Sequence, residues 1–375
     1  MASSASGPTH LPIIDLSPFL ESADSPASSE QCAALANGLI SYGAVLIRDS
    51  RVQTKDNEDF LDLLEDYFAQ PDEVLLRDQR PELGYQVGVT LENMEKPRCA
   101  AHGPCLDVIA RLDPSERPLD ISGHQPDPKA RFLWKVGTPL GEGETEFPSF
   151  NANNVVPDIA ERQIGQRWAL TMNTWGEGMR NAVNTLSEML AIGLDLPQNM
   201  FSAAGDRGAH LLAPTASDLS RYGTKDTILA GFHTDLNFLT IHGRSRYPGL
   251  NIWARNSGRR IPVLFGPGAN LLLQAGKQLE HVTGGLIRAG YHEVVVNDST
   301  LAEIERKKLQ VPQRPLVRIS STLFWHLASD YTMKPIESCI AKKEKIDNGT
   351  DLGKGLGYEG GEGYPEMKVG AFVQR

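Results

Sequence analysis

Apolar residues recur along this chain with two different periods. Between 161 and 194, Trp168, Met172, Trp175, Met179, Ala182, Leu186, Met189 and Leu190 fall at steps of three and four. That spacing puts them on one stripe of a long helix that faces a core. No cofactor is assigned to the stripe. Phe60, Leu63, Leu64 and Phe68 predict a second helix within "DNEDFLDLLEDYFAQP", stopped by Pro71. Cys32, Leu35 and Leu39 share one face of a third, over 28–41.

After Pro214 the texture changes. "DTILAGFHTDLNFLTIHG", "GLNIWAR", "RIPVLF", "ANLLLQAG", "YHEVVVND" and "PLVRISSTLFW" are short apolar runs parted by Gly and Pro turns. Many short strands at such spacing predict a β-sandwich or barrel. Earlier in the chain, "LPIIDLSPF" reads as a strand and turn, and "GAVLIRDS" as a strand. Residues 98–160 read as long irregular connections with short strands near "RFLWKVG". "DSTLAEIERKKLQVPQ" reads as a charged helical excursion with Arg306, Lys307 and Lys308 in solvent, and "KVGAFVQR" as the start of a helix. The expected organisation is a helical N-terminal region with long loops, 1–160, then a long supporting helix and a β-rich core, 161–375.

Composition narrows the function classes. The 375 residues are 40% hydrophobic and 22% charged, as in ordinary soluble globular proteins. A net charge of −10 and a pI near 5.4 disfavour nucleic acid and anionic membrane as partners. No apolar segment approaches membrane-span length, and the N-terminus lacks the basic and apolar regions of a signal peptide. The four cysteines, Cys32, Cys99, Cys105 and Cys339, form no C-x-x-C pair and read as reduced thiols. The expectation is a cytoplasmic protein acting on a small molecule, with no obligate protein partner.

Candidate chemistry begins at "GFHTDLNFLTIHG", 231–243. Read as a strand, His233 and Asp235 share one face in apolar surroundings. The pair grips a metal, relays a proton or satisfies itself in a core. Two histidines and a carboxylate on one face, with open positions left, form the facial triad of non-haem Fe(II) oxygenases. A second histidine must then come from elsewhere, and His242, His281, His292 and His326 are all downstream. Strand context leans to His292, in a clear strand, whereas His281 reads as the point where a strand yields to a turn. A G-x-G-x-x-G match at 355–360 lacks the preceding strand and following helix of a dinucleotide site. H-E-x-x-H and P-loop motifs are absent.

The order of motifs carries more weight than any one of them. H-T-D is followed by G-x-Q-L-E-x-x-T-G-G, then a strand histidine, then R-x-S and an aromatic. This order resembles the isopenicillin N synthase-like branch of the 2-oxoglutarate/Fe(II)-dependent dioxygenases. Gly276, Gln278, Leu279, Glu280, Thr283 and Gly285 match that family's "GDQLExxTNG", with Gly284 at the Asn. The opening "LPIIDLSPF" also resembles its "IPxIDLS" strand. The resemblance implies a double-stranded β-helix (jelly-roll) core with flanking helices. It implies His233, Asp235 and His292 as Fe(II) ligands, and Arg318 and Ser320 of R-x-S, with Tyr222, as the 2-oxoglutarate site. It further implies oxidation of a small metabolite by O2, with hydroxylation, desaturation or cyclisation and release of succinate and CO2.

Phe324, Trp325, Phe238 and the segment around Trp134 are candidate pocket walls. The sequence departs from the family at Glu293, where a basic residue is usual, and in a longer stretch between His292 and Arg318. Other readings share the same residues: an oxidase or ethylene-forming enzyme without 2-oxoglutarate as ordinary co-substrate, a zinc hydrolase, or a binding protein with an idle triad.

Overall fold

The computed structural model describes residues 10–119, 125–141, 143–349 and 363–374, so the 355–360 glycine motif lies outside the described residues. Sixteen strands are described. The first four are β1 (Ile13–Asp15), β2 (Ala44–Arg48), β3 (Gly88–Thr90) and β4 (Ala130–Lys135). The core continues with β5 (Leu211–Leu212), β6 (Thr215–Asp218), β7 (Ile228–His233), β8 (Leu239–His242), β9 (Leu250–Trp253) and β10 (Arg260–Pro262). It closes with β11 (Leu271–Ala275), β12 (Tyr291–Val295), β13 (Val317–Ser320) and β14 (Thr322–Trp325). The short strands β15 (Thr332–Met333) and β16 (Met367–Lys368) pair only with each other.

Ten strands form a large sheet in the order β1-β2-β11-β8-β14-β5-β4-β6-β13, with β3 beside β4. Four form a small sheet, β10-β9-β12-β7. This is the jelly-roll core expected from the sequence. The large sheet draws strands from both sides of residue 160.

The helix Ile164–Gly193 backs the large sheet, and every residue of its apolar stripe is buried. Two indoles fix it in place. Trp175 Nε1 donates to Ser321 Oγ at 2.6 Å, and Trp325 Nε1 donates to Asn184 Oδ1 at 2.9 Å. The helices Pro26–Tyr42 and Thr54–Phe68 match the other two apolar stripes. The first starts cleanly because Ser25 Oγ accepts from the Ser28 N–H at 3.1 Å and Pro26 opens the turn. The charged excursion is the helix Asp298–Gln310, capped by Asn297 and Thr300. The last described helix is Val369–Val373.

Two expectations need correction. Cys99 and Cys105 form a disulfide, while Cys32 and Cys339 are buried thiols. The spacing rule missed the bridge because the intervening turn enters a helix, Gly103–Arg111, that bends the chain back on itself. Second, His281 sits in a helix, Lys277–Val282, and not at a strand end. Among the described residues no helix is long and apolar enough to cross a membrane.

Candidate metal and co-substrate site

His233 ends β7, and His292 lies directly opposite it on β12. The two rings are 4.2 Å apart. Asp235 is not on the strand, as alternation suggested; β7 stops at His233 and the chain turns. The Asp235 carbonyl accepts from the Lys277 N–H at 2.8 Å, which ties the turn to the following helix. Its carboxylate still reaches the same point: Oδ1 lies 3.8 Å from His233 Nε2 and 3.9 Å from His292 Nε2. These three residues supply ligand atoms all within 4.8 Å of one another, the one such cluster of three or more among the described residues.

The donor atoms are oriented for a cation. His233 Nδ1 faces the Gly231 carbonyl at 2.6 Å, and His292 Nδ1 faces that of Gly290 at 3.4 Å. With the hydrogen on Nδ1, the Nε2 lone pairs point at the gap. Asp235 Oδ2 accepts from Thr240 Oγ1 at 2.7 Å, leaving Oδ1 for the gap. Burial, with His292 nearby, pushes His233 down to about 3, so it is neutral and able to ligate. Burial alone would raise the Asp235 carboxyl. The two imidazoles and the Thr240 hydroxyl outweigh it and hold the group below its ordinary value. This donor set fits a divalent transition metal with positions left open.

The "GKQLEHVTGG" segment shapes the approach of β12. A Cβ at Gly276 would lie 2.0 Å from the Asn237 carbonyl oxygen, so only glycine lets the two turns touch. Gln278 bonds the Leu327 N–H at 3.1 Å and His326 Nδ1 at 3.0 Å. Glu280 accepts from the Ala289 N–H at 2.7 Å and from Lys277 Nζ. Gly284 holds φ 59°, a left-handed conformation that asparagine also tolerates, which explains the Gly-for-Asn exchange.

A cavity of about 270 Å³ opens beside the triad, lined by His242, Tyr247, Leu250, Phe265, Arg318 and Ser320 among others. The His242 ring is 6.3 Å from that of His292, so the cavity ends close to the triad. His242 is pushed down to about 4, chiefly by burial. Arg318 is buried, and its Nη1 donates to Ser320 Oγ at 2.6 Å. Among the described residues it has no carboxylate within 4.0 Å. Burial pulls it down to about 10. Arg246 in the same cavity is already paired with Glu58, Asp62 and Glu65.

The other candidates separate. The Tyr222 hydroxyl lies 3.0 Å from Glu92 Oε1 and 3.4 Å from Asn93 Nδ2, and Tyr222 does not line the Arg318 cavity, although it packs in one apolar cluster with Tyr247 and Leu250, which do. Phe324 shares the face of its strand with Thr322, whose hydroxyl bonds His242 at 3.0 Å. Trp325 and Phe238 instead lie in the core. Trp325 stacks on His210 and bonds Asn184, and Phe238 packs on Phe201 and Trp325. Trp134 is also a core residue, bonded to Asn173. Glu293 points away from His292, is fully buried against Asn251 and is pushed up to about 7 by burial. Thr240 went unnoticed in the sequence, although it stands two residues before His242 on one strand.

No protein-family model matches the chain. It is 24% identical over 256 residues to gibberellin 3-beta-dioxygenase 2-3 of Triticum aestivum, covering 61% of this chain and 68% of that one. A full-length Neurospora crassa protein, solved in complex with alpha-KG, superposes with a TM-score of 0.67 at 18% identity, over 97% of this chain and 94% of that one. A 2OG-Fe(II) oxygenase family protein from Caulobacter crescentus gives 0.66 at 18%, over 97% of each. The chain is thus similar in sequence and fold to 2-oxoglutarate/Fe(II)-dependent oxygenases, and its two-histidine, one-carboxylate cluster is the donor set of a non-haem Fe(II) site.

Proposed function

We propose that His233, Asp235 and His292 hold Fe(II), and that Arg318 with Ser320 pairs with the distal carboxylate of 2-oxoglutarate. The observation that carries this is the pairing of two features in one hollow. Three lone pairs converge on a point, and beside it lies a buried guanidinium with no carboxylate of its own among the described residues. A guanidinium fork matches a carboxylate in bidentate fashion. The motif order from His233 to Ser320 supports the isopenicillin N synthase-like branch. Tyr222 would reach the co-substrate only by leaving Glu92.

Bound there, iron, 2-oxoglutarate and O2 supply the oxidising chemistry: R–H, 2-oxoglutarate and O2 give R–OH, succinate and CO2. Desaturation or ring closure of the same substrate follows from the same oxidation. This chain's residues orient the reactants. Thr240 and the two backbone carbonyls aim the three ligands, Arg318 fixes one end of the co-substrate, and Phe324 offers an apolar wall. R-x-S and an intact triad also serve relatives that oxidise without 2-oxoglutarate, so the direct test is succinate. Aerobic incubation with Fe(II) and 2-oxoglutarate releases it from the wild type and not from His292→Ala. Equal release from both would sink the assignment.

A further inference from the structure

The oxygenase reading leaves the partly buried cation of Lys135 unused. Lys135 ends β4, and its backbone is clamped on both sides by Asn154. Its Nζ lies 3.4 Å from Asn151 Oδ1 and, among the described residues, has no carboxylate within 4.0 Å. Burial draws the ammonium down to about 8. A cation taken from water without a counter-charge is costly, so the arrangement favours an anion that enters later.

Strand register connects this lysine to the metal site. Lys135 is opposite Leu211, Leu211 is opposite Phe324, and Phe324 is opposite Thr240. Directly opposed residues on antiparallel strands point to one face. The four side chains therefore form a row across the sheet, ending at the hydroxyl that bonds Asp235. Three strand spacings put the Lys135 and Thr240 backbones roughly 14 Å apart. The lysine arm takes up part of that span, and the remainder runs past Leu211 and Phe324.

A cavity opens at the lysine end of this row. Lys135, His326, Leu211, Phe150, Val369 and Val373 line it, with the last two supplied by the helix Val369–Val373. Most of these walls are apolar. His326 is pushed down to about 4 by burial and is neutral. One positive charge among apolar walls matches one negative charge on a carbon skeleton. A dianionic phosphate would need more cations than the cavity holds.

We propose that Lys135 pairs with the carboxylate of the molecule that is oxidised, so that the substrate is an organic acid whose skeleton runs along Leu211 and Phe324 toward Asp235. The word substrate rests on the oxygenase reading; the acid-binding site does not. The test is calorimetric titration of the full chain, saturated with 2-oxoglutarate, with phenylacetate, cinnamate and octanoate, each against its uncharged amide. The wild type binds at least one acid ten or more times more tightly than its amide. Lys135→Met abolishes that preference, and Lys135→Arg retains it.

Equal affinity for acid and amide in all three pairs overturns the proposal. So does a preference that survives Lys135→Met. Loss of preference in Lys135→Arg as well, with both variants folded by circular dichroism, assigns Lys135 a structural role instead. Titration of the wild type with 2-oxoglutarate reports separately on the earlier reading. Binding of 2-oxoglutarate without acid preference overturns only the Lys135 assignment. An acid preference that Lys135→Met removes, in a protein that ignores 2-oxoglutarate, keeps the anion site and overturns the 2-oxoglutarate assignment.

Discussion

The Thr240 hydroxyl donates to Asp235 Oδ2 at 2.7 Å, so one carboxylate oxygen is committed to the sheet and the other faces both imidazoles. That bond sets the direction of the one carboxylate among the three proposed ligands. Thr240→Val keeps the shape and removes the donor. Iron affinity should fall about 10- to 100-fold, the usual cost of losing a hydrogen bond behind a ligand. Anaerobic Fe(II) titration reads it, and unchanged affinity would mean that other contacts aim Asp235.

Arg318 and Ser320 should contribute unequally. Arg318→Lys keeps a charge but loses the planar fork, and the loss of 2-oxoglutarate affinity should be about 2 kcal/mol or more, roughly 30-fold. Ser320→Ala removes one hydroxyl and should cost about 1 kcal/mol, roughly fivefold. Calorimetry with 2-oxoglutarate gives both numbers. Equal losses would contradict a bidentate role for the guanidinium.

Phe324 and Trp325 are neighbours that face opposite sides of one strand. Trp325 is fully buried and bonds Asn184 across to the long helix. Trp325→Ala should destabilise the fold by about 3–5 kcal/mol, through the cavity it leaves and the orphaned amide. Phe324→Leu conserves an apolar wall and should leave the melting temperature nearly unchanged while altering which small molecules bind. Melting curves of the two variants separate the roles, and similar destabilisation by both would contradict the division.

That division was open to reading in the sequence. Adjacent residues of one strand face opposite ways, so Phe324 and Trp325 cannot both line one pocket. The long helix, the late strands and the grouping of His233, Asp235 and His292 were likewise legible, because local period and motif order suffice for them. The row from Lys135 to Thr240 was not. It depends on register between strands whose paired residues lie 76, 113 and 84 positions apart, which no local pattern encodes. Asp235 was found for an incomplete reason: the pair was taken as one strand face, whereas a turn anchored by Lys277 brings the carboxylate back to the histidines. The Cys99–Cys105 bridge lay in a segment with neither period, where the helix that closes it gave no clear signal.

Acid should destabilise the metal-free protein well above the carboxylate range. His210 and His233 are held at about 3, and His242 and His326 at about 4, with burial the chief cause in each. In the unfolded chain each takes up a proton near pH 6.5. Between those values the unfolded chain binds more protons, so stability is complete above about pH 6.5 and falls as pH drops toward the folded values. Each group adds at most about 1.4 kcal/mol per pH unit to that fall. Urea melts from pH 7.5 to 4.5 measure it, and a flat profile would contradict neutral burial of the histidines.

The anaerobic visible spectrum of the protein with Fe(II), before and after 2-oxoglutarate, bears on both halves of the site at once. A weak charge-transfer band should appear on adding 2-oxoglutarate, be absent in His292→Ala and be weakened in Arg318→Ala. Tight iron binding with no band would contradict the 2-oxoglutarate assignment. No iron binding at all would leave His233, Asp235 and His292 as a structural cluster.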